Sequence, residues 1–134
     1  MGRGYHILLD CYDVPRSVCI DDKRLVQVAA RAAAVGGATV VNTMRYQFGH
    51  NSPPGCAVVV MLDESHISIH TYADEGKMAI DAFTCGSADT RAVIEYIKKR
   101  LHLRNYIERE MERFVEAEAA VPAVPALASV PAAR

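Results

Sequence analysis

One serine near the middle of the chain combines several features that chemistry can use. Ser65 follows Glu64 where a solid apolar run gives way to residues that alternate between polar and apolar. Two histidines, His66 and His70, and one cysteine, Cys85, lie within twenty residues of this serine. Such groups can supply a nucleophile, a general base and a proton donor. The stretch around Ser65 is therefore the first candidate for a reactive site.

Three interpretations of this stretch compete on the residues alone. A metal site formed by His66 and His70 is disfavoured, because four residues of strand span about 13 Å, too far for one ion. A hydrolase nucleophile at Ser65 lacks the Gly-x-Ser-x-Gly elbow that exposes such a serine. The plainest interpretation makes Ser65, His66, Ser68 and His70 the polar side of a half-buried strand. No metal site is predicted.

The elements that position this stretch follow from the pattern along the chain. Runs of apolar or alternating residues predict strands at 5–12, 38–48, 56–62, 66–72 and 77–85. Helical spacing predicts helices at about 21–35 and 89–102, and Asp21 or Asp22 is the expected cap of the first. Residues 104–114 fit either a helix or an edge strand.

The order of these elements indicates the fold class. Strands that cluster between two helices are typical of an α+β fold, here an antiparallel sheet with helices packed on one face, a two-layer sandwich. Residues 56–62 lack alternation, which predicts burial on both faces of the sheet. Because one such sheet leaves its other face uncovered, we expect a homodimer.

A turn at residues 73–76 limits which side chains of the fourth and fifth strands can meet. A tight hairpin centred on Glu75 places Ser65 opposite Cys85 on the same face, with Cβ atoms about 5 Å apart. A slip of one residue would undo this pairing. The same register pairs Ile67 with Phe83 and Ile69 with Asp81.

Length and composition restrict the class of protein. With 134 residues and a net charge of -1, the chain suits one domain and gives no case for a nucleic acid or an anionic membrane as partner. We expect no secretory signal and no membrane span. The domain is predicted at 1–114, followed by a disordered Ala- and Pro-rich tail at 115–134. No Cys-x-x-Cys pair occurs, so we expect reduced thiols in a cytoplasmic protein, namely Cys11, Cys19, Cys56 and Cys85.

Two motifs resemble those of a known family. Residues 64–71, Glu-Ser-His-Ile-Ser-Ile-His-Thr, are similar to the signature of the small bacterial and archaeal S-adenosylmethionine decarboxylases. Residues 81–86, Asp-Ala-Phe-Thr-Cys-Gly, resemble the second motif of that family at the same separation. Similar segments at 37–41 and 48–55 extend the resemblance over roughly residues 4–114.

The resemblance implies a proenzyme that makes its own cofactor. Ser65 would attack the carbonyl of Glu64, and elimination with loss of ammonia would leave a pyruvoyl group on the chain 65–134, with the chain 1–64 still associated. The substrate amine would join this electron sink as a Schiff base before CO₂ leaves. The resemblance also makes Cys85 the proton donor and His70 a residue of self-processing. A plain pleat puts His70 and Ser65 on opposite faces, so a bulge or a backbone turn at the cleavage point is required.

One position departs from the family pattern. Ala57 stands where the family usually has a serine that helps processing. We expect slower self-processing, or recruitment of another group such as Ser52 or Cys56. The departure also motivates an alternative in which the chain is an unprocessed, non-catalytic family member.

The residues after the signature bear on the substrate. Where the family has Trp-Pro-Glu, this chain has Tyr72-Ala73-Asp74, and the resemblance associates the acidic residue with the ribose hydroxyls of S-adenosylmethionine. Phe48 matches an aromatic residue that stacks on adenine. We predict a pyruvoyl-dependent S-adenosylmethionine decarboxylase that supplies the aminopropyl donor for spermidine biosynthesis, with substrate-binding residues Phe48, Tyr72 and Asp74. The alternative substrates are L-arginine and L-ornithine, whose distal cation needs an anionic partner among Asp63, Asp74 and Glu75.

Overall fold

The computed structural model describes residues 3–115, which form a six-stranded antiparallel sheet and three helices. The strands are β1 (Gly4–Tyr12), β2 (Val40–Phe48), β3 (Gly55–Leu62), β4 (Ser65–Tyr72), β5 (Lys77–Cys85) and β6 (Asn105–Arg113). The helices are α1 (Arg16–Cys19), α2 (Asp22–Val35) and α3 (Thr90–Arg100). The sequence predicted the two longer helices but not α1.

The strand order β2-β3-β4-β5-β1-β6 puts β4 and β5 at the centre of the sheet. Helix α2 packs on β2, β3 and β4, and α3 packs on β1 and β5, so both cover the same face. The core between the layers is apolar, and its largest fully buried side chains include Ile7, Leu9, Leu25, Ile67, Ile69, Ile80, Ile94 and Ile97. This arrangement confirms the predicted α+β two-layer fold.

Each long helix begins after an aspartate that caps its free N–H groups. The side chain of Asp21 accepts a hydrogen bond from the Arg24 N–H at 3.1 Å, and Asp89 accepts one from the Ala92 N–H at 3.0 Å. Such caps stabilise a helix by about 1 kcal/mol each. The helices therefore start where the sequence pattern predicted, to within one residue.

The ambiguous segment at the C-terminal side of α3 is a strand. β6 pairs with β1 along its whole length, from Asn105 opposite Tyr12 to Arg113 opposite Gly4. The alternation that favoured an edge strand is therefore the pattern that prevails over helical spacing. The predicted disordered tail lies, apart from Val115, outside the described residues.

The second face of the sheet is not covered by any element within residues 3–115, and we call it the open face. It is apolar at both edges, where the exposed fractions range from 38% to 68% for Met44, Tyr46, Val59, Met61, Ile107 and Met111. The prediction that β3 is buried on both faces is therefore wrong for a single chain, because Val59 and Met61 alternate with buried residues. Among the described residues, no helix is long and apolar enough to cross a membrane.

Candidate active site

Ser65 and Cys85 lie side by side at the end of the central hairpin. The Oγ of Ser65 is 3.7 Å from the Sγ of Cys85. The predicted register is nevertheless wrong by one residue, because Ser65 pairs with Thr84. The predicted pairs of Ile67 with Phe83 and of Ile69 with Asp81 are shifted likewise: Ile67 pairs with Ala82 and Ile69 with Ile80.

The turn explains the shift. The Glu75 N–H donates to the Tyr72 carbonyl at 3.1 Å, and Gly76 has a φ of 63°, which glycine adopts without strain. The loop therefore contains four residues, 73–76, and the ladder begins with Tyr72 opposite Lys77. A loop centred on Glu75 and spanning residues 74–76 would have had one residue fewer on its N-terminal side and would have paired Ala73 with Lys77.

The backbone at Ser65 brings its hydroxyl to the thiol despite this register. Thr84, its cross-strand partner, is fully buried on the helix-covered face, so a plain pleat would direct Ser65 there as well. Ser65 instead has a φ of 148°, a conformation that L-residues rarely adopt and that costs on the order of 1–3 kcal/mol. The hydroxyl thus meets Cys85 on the open face, which also carries His70. The backbone turn that the sequence analysis required is present at the Glu64–Ser65 bond.

The carbonyl of the same bond is already polarised. The Glu64 carbonyl accepts the backbone N–H of Cys85 at 3.0 Å. The Glu64 side chain is held as well, since its Oε1 accepts the Thr39 N–H at 2.9 Å. A fixed donor at this oxygen stabilises the negative charge that develops when a nucleophile adds to the carbonyl. A strained serine beside an activated carbonyl is the arrangement expected of a serine that becomes a pyruvoyl group.

Four further predicted site residues gather at the other end of β4, namely Phe48, His70, Tyr72 and Asp74. They line a pocket of about 290 Å³, which we call the aromatic pocket, together with Ser52 and Glu75. The His70 ring stacks on Phe48 with centroids 5.6 Å apart and on Tyr72 with centroids 6.2 Å apart. Asp74 lies on the turn that forms one wall. The predicted substrate-binding residues are therefore brought together by the fold.

A single chain does not bring the two groups of residues into contact. Ser65 and His70 are five positions apart on one strand, which is about 16 Å. The reactive pair, as we call Ser65 and Cys85, and the aromatic pocket are thus separate in one protomer. This separation was not foreseen from the motif, in which the two residues are close in sequence.

The structure also bears on the missing serine. Ala57 lies directly opposite His70 in the ladder between β3 and β4. The proposed substitute Cys56 is wrong, because it is fully buried and its thiol donates to the Cys19 carbonyl at 3.3 Å on the helix-covered face. Ser52 lines the aromatic pocket beside His70 and stays a candidate.

The other thiols are unsuited to chemistry. Burial raises the pKa of Cys11 to about 12, and burial also raises the pKa of Cys19 and of Cys56. A thiol so shifted stays protonated and poorly nucleophilic at neutral pH. Cys85 alone of the four is partly accessible. In the part of the chain that the structure describes, no group of three or more His, Cys, Asp or Glu residues is placed to hold a metal ion.

Three residues near the site escaped the sequence analysis. His6 approaches Asp81, with Nε2 3.2 Å from Oδ1, and its ring lies 5.6 Å from that of Phe83. Gly4 leaves room for the reactive pair, because a Cβ there would lie 2.7 Å from Phe83 Cε1 and 3.2 Å from Cys85 Sγ. Arg16 donates to Asp74 at 2.7 Å. All three contacts join residues far apart in sequence, so only the folded structure reveals them.

Known proteins are similar to this chain in both sequence and fold. Residues 5–114 match the family described as S-adenosylmethionine decarboxylase. A proenzyme of that name from Symbiobacterium thermophilum is 43% identical over 99 residues, which cover 73% of each chain. One from Pyrococcus furiosus is 32% identical over 116 residues, covering 86% of this chain and 81% of the relative. The crystal structure of adenosylmethionine decarboxylase from Aquifex aeolicus superposes with a TM-score of 0.77 at 29% identity, over 90% of this chain and 98% of that one.

The fold and the family match together define the class of protein as a pyruvoyl-dependent carboxy-lyase that arises from a self-processing proenzyme. Within that class, the chain belongs to the S-adenosylmethionine decarboxylase family.

Proposed function

We propose that this protein is a proenzyme that cleaves itself at the Glu64–Ser65 bond and then decarboxylates S-adenosylmethionine. The observation that carries the proposal is the reactive pair, with Ser65 Oγ 3.7 Å from Cys85 Sγ beside a carbonyl that accepts the Cys85 N–H. The product of the reaction is the aminopropyl donor for spermidine biosynthesis. Four free cysteines support a reducing, cytoplasmic location.

Self-cleavage needs only groups of the chain and one water. Ser65 Oγ adds to the Glu64 carbonyl carbon, the carbon–nitrogen bond breaks, and an ester replaces the amide. The Cys85 N–H stabilises the oxyanion on the way. A base, assigned to His70, then removes the Ser65 α-proton, and the Glu64 carboxylate leaves from the β-carbon. Water replaces the resulting enamine nitrogen, which departs as ammonia.

Decarboxylation assigns separate roles to the two groups of residues. The pyruvoyl group supplies a carbonyl that takes the substrate amine and accepts the electron pair released with CO₂. Cys85 Sγ delivers a proton to the substrate α-carbon from the position next to Ser65. In the aromatic pocket, the rings of Phe48 and Tyr72 contact the adenine and the sulfonium. Asp74 accepts hydrogen bonds from the ribose hydroxyls.

A homodimer reconciles these roles with the separation found in one chain. The open face exposes apolar side chains at both edges, which favours covering it with a second copy. In the proposed dimer, two sheets meet face to face about a two-fold axis that sets the aromatic pocket of one copy against the reactive pair of the other. His70 of one copy then acts on the Glu64–Ser65 bond of the other copy and not on the bond of its own chain.

Complementation between two inactive variants tests this arrangement. Ser65→Ala and His70→Ala are each expected to stay uncleaved when expressed alone. Co-expressed with distinguishable tags, they form one complete site, so the His70→Ala chain is expected to be cleaved by the His70 of its partner. A mixture in which both chains stay intact although hetero-dimers form contradicts the shared site.

A substrate panel tests the activity itself. CO₂ release is measured from S-adenosylmethionine, L-arginine and L-ornithine side by side, and we expect turnover only with the first. Preferred turnover of L-arginine or L-ornithine would establish the alternative decarboxylase. The non-catalytic alternative, motivated by Ala57, predicts no CO₂ from any of the three.

A further inference from the structure

Both carboxylates at the wall of the aromatic pocket are already engaged by cations of the chain. Asp74 Oδ1 accepts from Arg16 Nη1 at 2.7 Å, and Glu75 Oε1 accepts from Lys77 Nζ at 3.0 Å. Asp63, the third acid considered for a cationic substrate, lies at the turn between β3 and β4, at the opposite end of the sheet. No carboxylate of the pocket wall is therefore left as an isolated negative charge.

We infer that Arg16 is a specificity-determining residue that keeps Asp74 from binding the guanidinium or ammonium group of amino acids such as L-arginine and L-ornithine. The inference rests on the proposed function and names the substrate class of the same pocket: an α-amino acid that carries a neutral, hydroxyl-bearing group such as ribose. Arg16 belongs to α1, an element that the sequence analysis did not predict and the proposed mechanism does not use.

The chemistry of the ion pair favours hydroxyl groups over cations. A carboxylate offers about four lone-pair positions, so Asp74 keeps acceptor sites after one oxygen is occupied by Arg16. Hydroxyl groups can donate to these sites without disturbing the pair. A guanidinium or ammonium group must instead compete with Arg16 for the same charge and is repelled by it. Lys77 likewise competes with a substrate cation for the charge of Glu75 and repels that cation.

The backbone holds the two partners in place. The Val14 N–H donates to the Gly76 carbonyl at 2.9 Å, which ties the Asp74 turn to the segment that leads into α1. Val18 and Cys19 of α1 are buried, so the helix is anchored in the core beneath Arg16. The pair therefore joins two fixed segments that are 58 residues apart in sequence.

Solvent limits the size of the effect. The side chains of Arg16 and Asp74 are 59% and 58% exposed, and water screens such a pair. Exposed pairs couple weakly, which corresponds to about a two- to fivefold change in an equilibrium constant. We expect a shift in preference of that order, not a complete change of substrate.

The test compares Arg16→Ala and Arg16→Gln with Arg16→Lys, and with Arg31→Ala as a control that removes an exposed arginine from α2. For each cleaved protein, kcat and KM are measured with S-adenosylmethionine, and L-arginine is titrated as a competitive inhibitor. Without the Arg16 charge, KM is expected to rise about two- to fivefold at unchanged kcat, because Asp74 is no longer held. The inhibition constant of L-arginine is expected to fall by a similar factor. Arg16→Lys should lie closer to the wild type.

The outcomes separate this inference from the proposed function. If Arg16→Ala and Arg16→Gln match Arg31→Ala in both constants, Arg16 does not set specificity, although the enzyme remains a decarboxylase. A rise in KM without tighter L-arginine binding reduces Arg16 to a structural contact and overturns the inference. A wild-type protein that releases no CO₂ from S-adenosylmethionine refutes the proposed function itself, and the inference falls with it.

Discussion

Ser65 is paired with Thr84 in the hairpin, yet its hydroxyl lies 3.7 Å from the thiol of Cys85, the residue after Thr84. The unusual backbone conformation of Ser65 allows this contact, and the N–H of Cys85 donates a hydrogen bond to the carbonyl oxygen of Glu64. Cys85 is thus placed to act twice: its amide in self-cleavage and its thiol in the proton transfer. The two roles can be separated by mutation.

Cys85→Ala should keep cleavage and lose turnover. The substitution retains the backbone N–H that contacts the Glu64 carbonyl but removes the proton donor. Positioned proton transfer contributes roughly 10²- to 10⁴-fold, so CO₂ release per cleaved chain is expected to fall by a factor in that range. Turnover equal to that of the wild type, once corrected for the cleaved fraction, would exclude Cys85 as the donor.

Gly4→Ala should disturb the reactive pair from the neighbouring strand. The added Cβ would lie 2.7 Å from Phe83 Cε1, too close for any carbon contact, so the ring must shift. Overpacking of this kind costs about 1–3 kcal/mol, and a displaced Phe83 also crowds Cys85. We expect a lower midpoint of urea unfolding and slower self-cleavage.

Shortening the opposing side chain supplies the control for that experiment. Phe83→Leu removes the ring edge that meets the new methyl group, so the double variant should recover part of the lost stability. If Gly4→Ala is as stable and as fully cleaved as the wild type, the packing between β1 and β5 is looser than the structure indicates.

The ion pairs between α3 and β6 predict how stability depends on pH. A hydrogen bond from Lys98, at 2.6 Å, is the largest of the causes that hold the pKa of Glu108 below its ordinary value of 4.5. Burial opposes the charge of Lys98, but its bonds to Glu108 and Glu95 outweigh burial and raise its pKa. Because the Glu108 pKa is lowered on folding, its contribution is present above about pH 4.5 and is lost as the pH falls through the lowered value.

Thermal unfolding of the uncleaved Ser65→Ala chain measures this contribution. Glu108→Gln in that background should lower Tm near neutral pH by a few degrees, and the difference should shrink towards pH 3. Glu112→Gln, on the same strand but more exposed, serves as the control and should change Tm less. A difference that stays constant with pH would mean that Glu108 stabilises the fold through packing and not through charge.

The fold was predictable because its signals are local. Aspartate caps, a period of two along β6 and the turn residues around Gly76 each specify an element without help from the rest of the chain. The register of the hairpin was missed because it depends on the length of one loop, and a single extra residue in it moves every cross-strand pair.

The site was predictable only in part, for a physical reason. The motifs identified residues by type, and the structure places the reactive pair on the open face and the substrate-binding residues in the pocket at its end. Their separation into two groups could not be read from the motif, because the distance from Ser65 to His70 depends on the strand conformation between them. The prediction that β3 is buried on both faces was wrong for a related reason. Val59 and Met61 are apolar residues that suit a covered interface, and such residues have the same sequence pattern as those of a buried core.

The intact mass of the purified protein under denaturing conditions tests the central claim most directly. The account predicts two chains, 1–64 and 65–134, with the second lighter by one ammonia than a chain that begins with serine. Ser65→Ala should give one uncleaved chain under the same conditions. A wild-type protein that remains a single chain of 134 residues would contradict the account.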